Sequence, residues 1–126
     1  MTEKKDYLKQ PLENGNIFIS QEVVASIAAL AVREVEGVYG LSTSKSLDTS
    51  KILSRRNLRR GIRVVIGENK TTIACNLVVK MGEAVMEVAK NVQQAISDEV
   101  YTMTGMRPTR VNVNVCGVVA PKMVKK

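Results

Sequence analysis

The chain has 126 residues, 44% of them apolar and 25% charged, with a net charge of +7 and no histidine. A chain of this length holds one core without help from a disulfide or metal, and its balance of apolar to charged residues excludes wholesale disorder. The missing imidazole removes the usual general base, the usual neutral metal ligand and every histidine-based nucleophile arrangement.

With one Phe, three Tyr and no Trp, the core must be built from Val, Ile, Leu, Ala and Met, and few rings remain to stack on bases. The longest apolar stretch, Val23 to Val32, is half the roughly 20 residues of a membrane span. The first ten residues are charged and lack the apolar centre of a signal peptide, so a cytoplasmic location is expected. Cys75 and Cys116 lie far apart with no C-x-x-C spacing, which suits reduced packing residues better than a disulfide.

Residues 1–15 and 120–126 are polar or basic and punctuated by Pro11, Gly15 and Pro121. They are expected to be a flexible N-terminal tail and a basic C-terminal tail around one domain spanning 16–119. Ile17-Phe18-Ile19 is a short β-type run. Ser20 is placed as an N-cap with Glu22 in the first helical turn, and Val24, Ile27, Ala28, Ala31 and Val35 form the apolar stripe of a helix closed by Gly37. A Ser- and Thr-rich stretch follows, then a basic one. Ile62, Val64 and Ile66 alternate with Arg63 and Val65 across a Gly67–Lys70 turn from Ile73, Cys75, Leu77 and Val79, which predicts a β-hairpin with one buried face.

A second helix is predicted from about Ala84 to Thr104, with Val85, Val88, Ala89, Val92, Ile96, Val100 and Met103 on one stripe. Gly105 ends it, and Val111, Val113 and Val115 then alternate with polar residues as a last strand. A strand, helix and strand in one sheet favour a parallel crossover, so this strand should run parallel to the second hairpin arm. The expected fold is α/β of the α+β kind. It is a two-layer sandwich in the order (β)-α-β-β-α-β, with a small mixed sheet of about three main strands and two amphipathic helices on one face.

No catalytic residue, metal ligand or cofactor site emerges, and the chain is expected not to be an enzyme. Glu83 and Glu87 share a helix face, yet with no partner ligands they suit a solvated face near a helix start. Phosphate-binding Gly-rich motifs are missing. Gly37-Val38-Tyr39-Gly40 has the form with which KH domains clamp a nucleic-acid backbone, but that clamp joins two helices, whereas here a helix cap and a turn suffice. Cys116 is expected on the polar face of the last strand as an exposed thiol without a base to activate it.

The strongest local signal is basic. Residues 45–63 carry seven cations against Asp48 alone, a balance of +6 in a chain whose total is +7. Lys51, Arg55, Arg56, Arg59, Arg60 and Arg63 are therefore the candidate partner- or anion-binding residues. Ile52, Leu53 and Leu58 would point in widely separated directions on a helix, so no apolar stripe is available for lying in a bilayer.

Four stretches carry a family likeness: Gly15-Asn16-Ile17-Phe18-Ile19-Ser20 with Val23 and Val24; Glu34 to Val38; Arg56-Asn57-Leu58 to Gly61-Ile62-Arg63-Val64; and Met103-Thr104-Gly105 leading to Val111-Asn112-Val113-Asn114-Val115 with Gly117-Val118. In this order they resemble the alkaline shock protein family of Gram-positive bacteria, also called the Gls general-stress or envelope stress response family. The resemblance implies a non-enzymatic cytoplasmic protein that self-associates, is held at the inner face of the membrane by a small membrane-anchored protein partner, and serves cell-envelope stress response or homeostasis. It also implies an alternative, since some relatives are tied to the control of fatty-acid synthesis. The arginines themselves leave open a sequence-tolerant nucleic-acid-binding role.

Overall fold

The computed structural model describes residues 7–46, 48–53, 55–68 and 70–120. The expected C-terminal tail beyond Ala120, and Asn69 of the expected turn, lie outside the described residues. Along the chain the elements are β1 (Tyr7–Leu12), β2 (Gly15–Ser20), α1 (Gln21–Arg33), β3 (Val38–Ser42), β4 (Ile52–Leu53), β5 (Ile62–Gly67), β6 (Lys70–Lys80), α2 (Val85–Thr104) and β7 (Arg110–Val119). Both helices pack on one face of a mixed sheet, which is the two-layer α+β sandwich expected.

Part of the expected N-terminal tail is ordered as β1, which pairs antiparallel with β2 in a hairpin of its own. Glu13 and Asn14 turn the chain, and Gly15 follows at a φ of 134°, a conformation that L side chains rarely adopt. Pro11 sits comfortably in such an edge strand. Ile19 packs against the main core and so ties the hairpin to the body of the molecule.

Helix α1 starts where the sequence places it, with the Ser20 hydroxyl accepting from the Val23 N–H at 3.3 Å. It ends earlier than expected. Glu34 and Val35 donate back to Ala31 and Val32, tightening the last turn, and Gly37 makes the following turn at a φ of 91°. Val24, Ala28 and Val32 are fully buried. Helix α2 runs to Thr104 and stops at Gly105 in the left-handed conformation, with the Gly105 N–H donating to the Tyr101 carbonyl at 2.8 Å. Val88, Val92, Ile96 and Val100 are buried as expected, whereas Met103 at the end of that stripe is exposed.

The sheet is organised around β6. β5 pairs antiparallel with Lys70–Cys75 and β3 antiparallel with Asn76–Val79, while β7 runs parallel along Thr72–Lys80. Because β7 overlaps both of the others along β6, β3 and β5 must share the opposite edge. They lie end to end there, Ser42 opposite Asn76 and Ile62 opposite Cys75. The chain thus traces one long strand interrupted by an excursion, residues 43–61, that leaves and returns at neighbouring positions of β6. β3 falls where the sequence suggests a turn, and its pairing with the far half of β6 is what makes it a strand.

The excursion is anchored rather than loose. β4 pairs with the outer side of β3, Leu41 opposite Leu53. Leu53 and Leu58 are buried in the core. Instead of one helix, the basic stretch forms two 3-10 turns, Thr49–Lys51 and Arg55–Gly61, the second kinked at Asn57. That kink lets apolar residues that fit no single helical stripe reach the same core.

Candidate functional site: a basic cleft at the strand junction

Where β3 hands over to β5, the face of the sheet away from the helices holds a cleft of about 350 Å³. Ser42, Thr43 and Lys45 line it on the outgoing limb of the excursion, Arg60 and Gly61 on the returning limb, and Ile62 and Arg63 at the start of β5; Ala74, Cys75 and Asn76 of β6 form the floor. Arg63 reaches this face by strand alternation. Ile62, Val64 and Ile66 take the helix side, so Arg63, opposite Ala74, must take the other. Ala74 leaves the floor low.

Lys45 is set by side-chain hydrogen bonds to the main chain. The Asn114 amide on β7 donates to the Lys45 carbonyl at 3.3 Å and to the Asn76 side-chain oxygen at 3.1 Å, while the Asn76 amide donates to the Ser42 carbonyl at 3.4 Å. The Ser42 hydroxyl accepts from the Ser44 N–H at 3.0 Å, a local turn that starts the excursion. Further out, Asp48 accepts from the Ser50 hydroxyl at 2.7 Å and the Ser50 N–H at 3.0 Å. These bonds, with Lys51 nearby, hold its carboxyl below the usual range. Asp48 is thereby engaged within its own turn.

The side chains of Lys45, Arg60 and Arg63 are exposed, and among the described residues none of them forms an ion pair. Strands β3 to β7 contain no Asp or Glu at all, while Arg63, Lys70, Lys80 and Arg110 give them only positive charge. Acidic residues gather elsewhere. Glu83 packs against Gly37, which brings Glu83 and Glu87 beside the turn that carries Glu34 and Glu36, all four exposed. Along β6 this acidic end lies about 15 Å from the cleft, at roughly 3.3 Å per residue.

Of the six candidates drawn from the sequence, the structure gathers Arg60 and Arg63 around the cleft. Lys51 and Arg59 are exposed and outside its lining. The side chains of Arg55 and Arg56 lie outside the described residues. Lys45 is the cation that sequence reasoning left out. Its separation from the arginines hides the contact, and its only legible sign is membership of the same charge run.

The paired glycines that suggested a KH-type clamp are used for packing. A Cβ on Gly37 would stand 2.7 Å from Val88 Cγ2, and one on Gly40, inside β3, would stand 2.5 Å from the Leu53 carbonyl oxygen. Cys116 is also not the exposed thiol expected. It is the additional residue where the β6–β7 register shifts between Leu77 and Val78, and it is half-buried with its pKa raised by burial. Cys75 faces the core, and burial pushes its thiol up to about 12. Among the described residues no group of three or more Cys, Asp or Glu side chains is placed to hold a metal ion, and no helix is long and apolar enough to cross a membrane.

These features define a two-layer α+β domain whose helices cover one face of the sheet and whose other face is basic and clefted. The chain belongs to the ASP23 family, cell envelope-related function, whose family model matches residues 9–120. This is the alkaline shock protein family that the four sequence stretches resemble. Among its relatives, Spy1535 of Streptococcus pyogenes serotype M6 is 31% identical over 112 residues, 88% of this chain and 84% of its own length. YloU of Bacillus subtilis is 31% identical over 106 residues, 82% of this chain and 88% of its own. YqhY of the same organism is 27% identical over 104 residues, 82% of this chain and 77% of its own. A solved zinc form of the MamM CTD aligns over 82% of this chain and 88% of its own, with a TM-score of 0.47 and 16% identity.

Proposed function

We propose that this chain is a non-catalytic interaction domain that acts in cell-envelope stress response or homeostasis by self-association and by docking on membrane-linked partners from the cytoplasmic side. The observation supporting this reading is the segregation of charge. Each copy presents an acidic end at Glu34, Glu36, Glu83 and Glu87 and a carboxylate-free basic sheet face. Complementary poles steer encounter and select orientation. Two different patches meeting make a heterologous contact, which propagates into rings or open chains instead of stopping at a dimer.

The test is sizing at different salt concentrations. At about 50 mM salt, where the Debye length exceeds 10 Å, the protein should elute as concentration-dependent oligomers, and at about 0.5 M salt it should shift toward monomer. The double variant Glu83→Lys/Glu87→Lys should weaken association by about ten-fold or more, since exposed pairs contribute ~0.2–1 kcal/mol each and reversal adds repulsion. Mixing it with Arg63→Glu/Lys70→Glu should restore a mixed complex by charge exchange. A strict monomer at low salt that never co-purifies with membranes or an integral partner would refute the reading.

A further inference from the structure

We propose that the cleft at the β3–β5 junction is a binding site for a small phosphorylated molecule, recognised through its phosphate by Lys45, Arg60 and Arg63. The two ends of a single excursion converge there. Lys45 comes from the outgoing limb, Arg60 from the returning limb and Arg63 from the strand into which it returns, so residues up to 18 positions apart in sequence surround one cavity. No described carboxylate pairs with any of the three, and Asp48, the one acid of the excursion, is occupied by Ser50. Three uncompensated cations around a concave, partly buried floor are a source of positive potential that an anion would neutralise.

The shape and chemistry narrow the anion. At about 350 Å³ the cleft is at the small end of ligand pockets, which suits a phosphate with a short organic group rather than a polymer. Two planar guanidinium groups and one ammonium suit phosphate oxygens, which accept paired N–H donors. No aromatic side chain lines the cleft, so it offers no stacking platform for a base. The ligand is therefore read by its phosphate. The site shares Arg63 with the basic face invoked for self-association, but its lining comes from a single chain, so a monomer should retain it.

The experiment is an amide NMR titration of the Glu83→Lys/Glu87→Lys variant, in which any self-association should be weakened, and of the unmodified chain, with inorganic phosphate, pyrophosphate and succinate at constant ionic strength. Saturable shifts confined to residues around Thr43, Gly61 and Ala74, with a pyrophosphate Kd at or below about 1 mM, are expected. Lys45→Gln and Arg63→Gln should each raise that Kd roughly ten-fold, the loss typical of a hydrogen bond to a charged group. Arg110→Gln, on the same face but outside the cleft, should leave it within two-fold of the unmodified residue's value, on the order expected for a screened distant charge. Should one cleft variant fail to fold, the other carries the test, because they lie on different segments. Absence of saturable binding, an equal loss with Arg110→Gln, or succinate binding as tightly as pyrophosphate would each overturn the assignment.

Discussion

Replacing Gly40 with alanine is expected to lower the melting midpoint by about 5–15 °C, corresponding to the ~1–3 kcal/mol that overpacking costs in a domain of this size. The new Cβ would stand 2.5 Å from the Leu53 carbonyl oxygen. That atom belongs to the backbone of β4, so no side-chain rotation can relieve the contact and β4 must move as a unit. β4 holds the excursion against β3 at Leu41 and Ser42. The displacement should therefore reach Lys45 and Arg60 and weaken pyrophosphate binding along with stability. Gly67→Ala supplies the contrast, since nothing lies within 4 Å of its added Cβ, and it should stay within about 0.5 kcal/mol of the unmodified chain. Thermal unfolding of the two variants side by side checks this. An unchanged midpoint for Gly40→Ala would mean that β4 does not pack across β3 as described.

The second large effect is alkaline destabilisation through Cys75. Its thiol is buried between the sheet and the helices, and desolvation raises its pKa from an ordinary 9.0 to about 12. Below pH 9 the folded and unfolded chains both hold the proton, and its contribution to stability is fully present. Above pH 9 the unfolded chain releases the proton while the folded one keeps it. Stability then falls by about 1.4 kcal/mol per pH unit until the folded thiol also ionises near pH 12, a total of about 4 kcal/mol. That is a substantial part of a typical domain's ~5–15 kcal/mol. Cys75→Ala should cost about 1 kcal/mol below pH 9 for the small cavity it leaves, yet lose this slope, so that above about pH 10 the variant becomes the more stable chain. Urea unfolding at pH 8, 10 and 11 separates the two, because lysine and tyrosine ionisation is common to both chains. Parallel curves through pH 11 would exclude a buried, protonated Cys75.

The parts of the fold legible in sequence are those whose pattern is local. Ser20 announces α1, Gly105 ends α2, and the alternation of Ile62, Val64 and Ile66 with Arg63 and Val65 fixes which side of β5 faces the core before any partner is known. The same alternation sends Arg63 outward. β1 was hidden by Pro11 and its polar neighbours. β3 was hidden by Gly37 and Gly40, which punctuate like a turn, and only the unusual length of β6 supplies the partner that makes Val38–Ser42 a strand. Leu53 and Leu58 share no helical stripe, and their common burial depends on two short turns and the kink at Asn57.

For the site, composition alone placed the positive charge between residues 45 and 63 and removed histidine chemistry, because both are properties of residue type. Which cations act together is another matter. The end-to-end placement of β3 and β5 along one edge of β6 is a non-local pairing, and it closes the excursion so that Lys45, Arg60 and Arg63 line one cleft while Lys51 and Arg59 lie outside its lining. Charge density is summed along the chain, but a cleft exists only where distant backbone segments hydrogen-bond side by side. A concentrated basic segment on an α+β scaffold follows from residue types and local periodicity, whereas which three cations line one cleft follows only from strand pairing between distant segments.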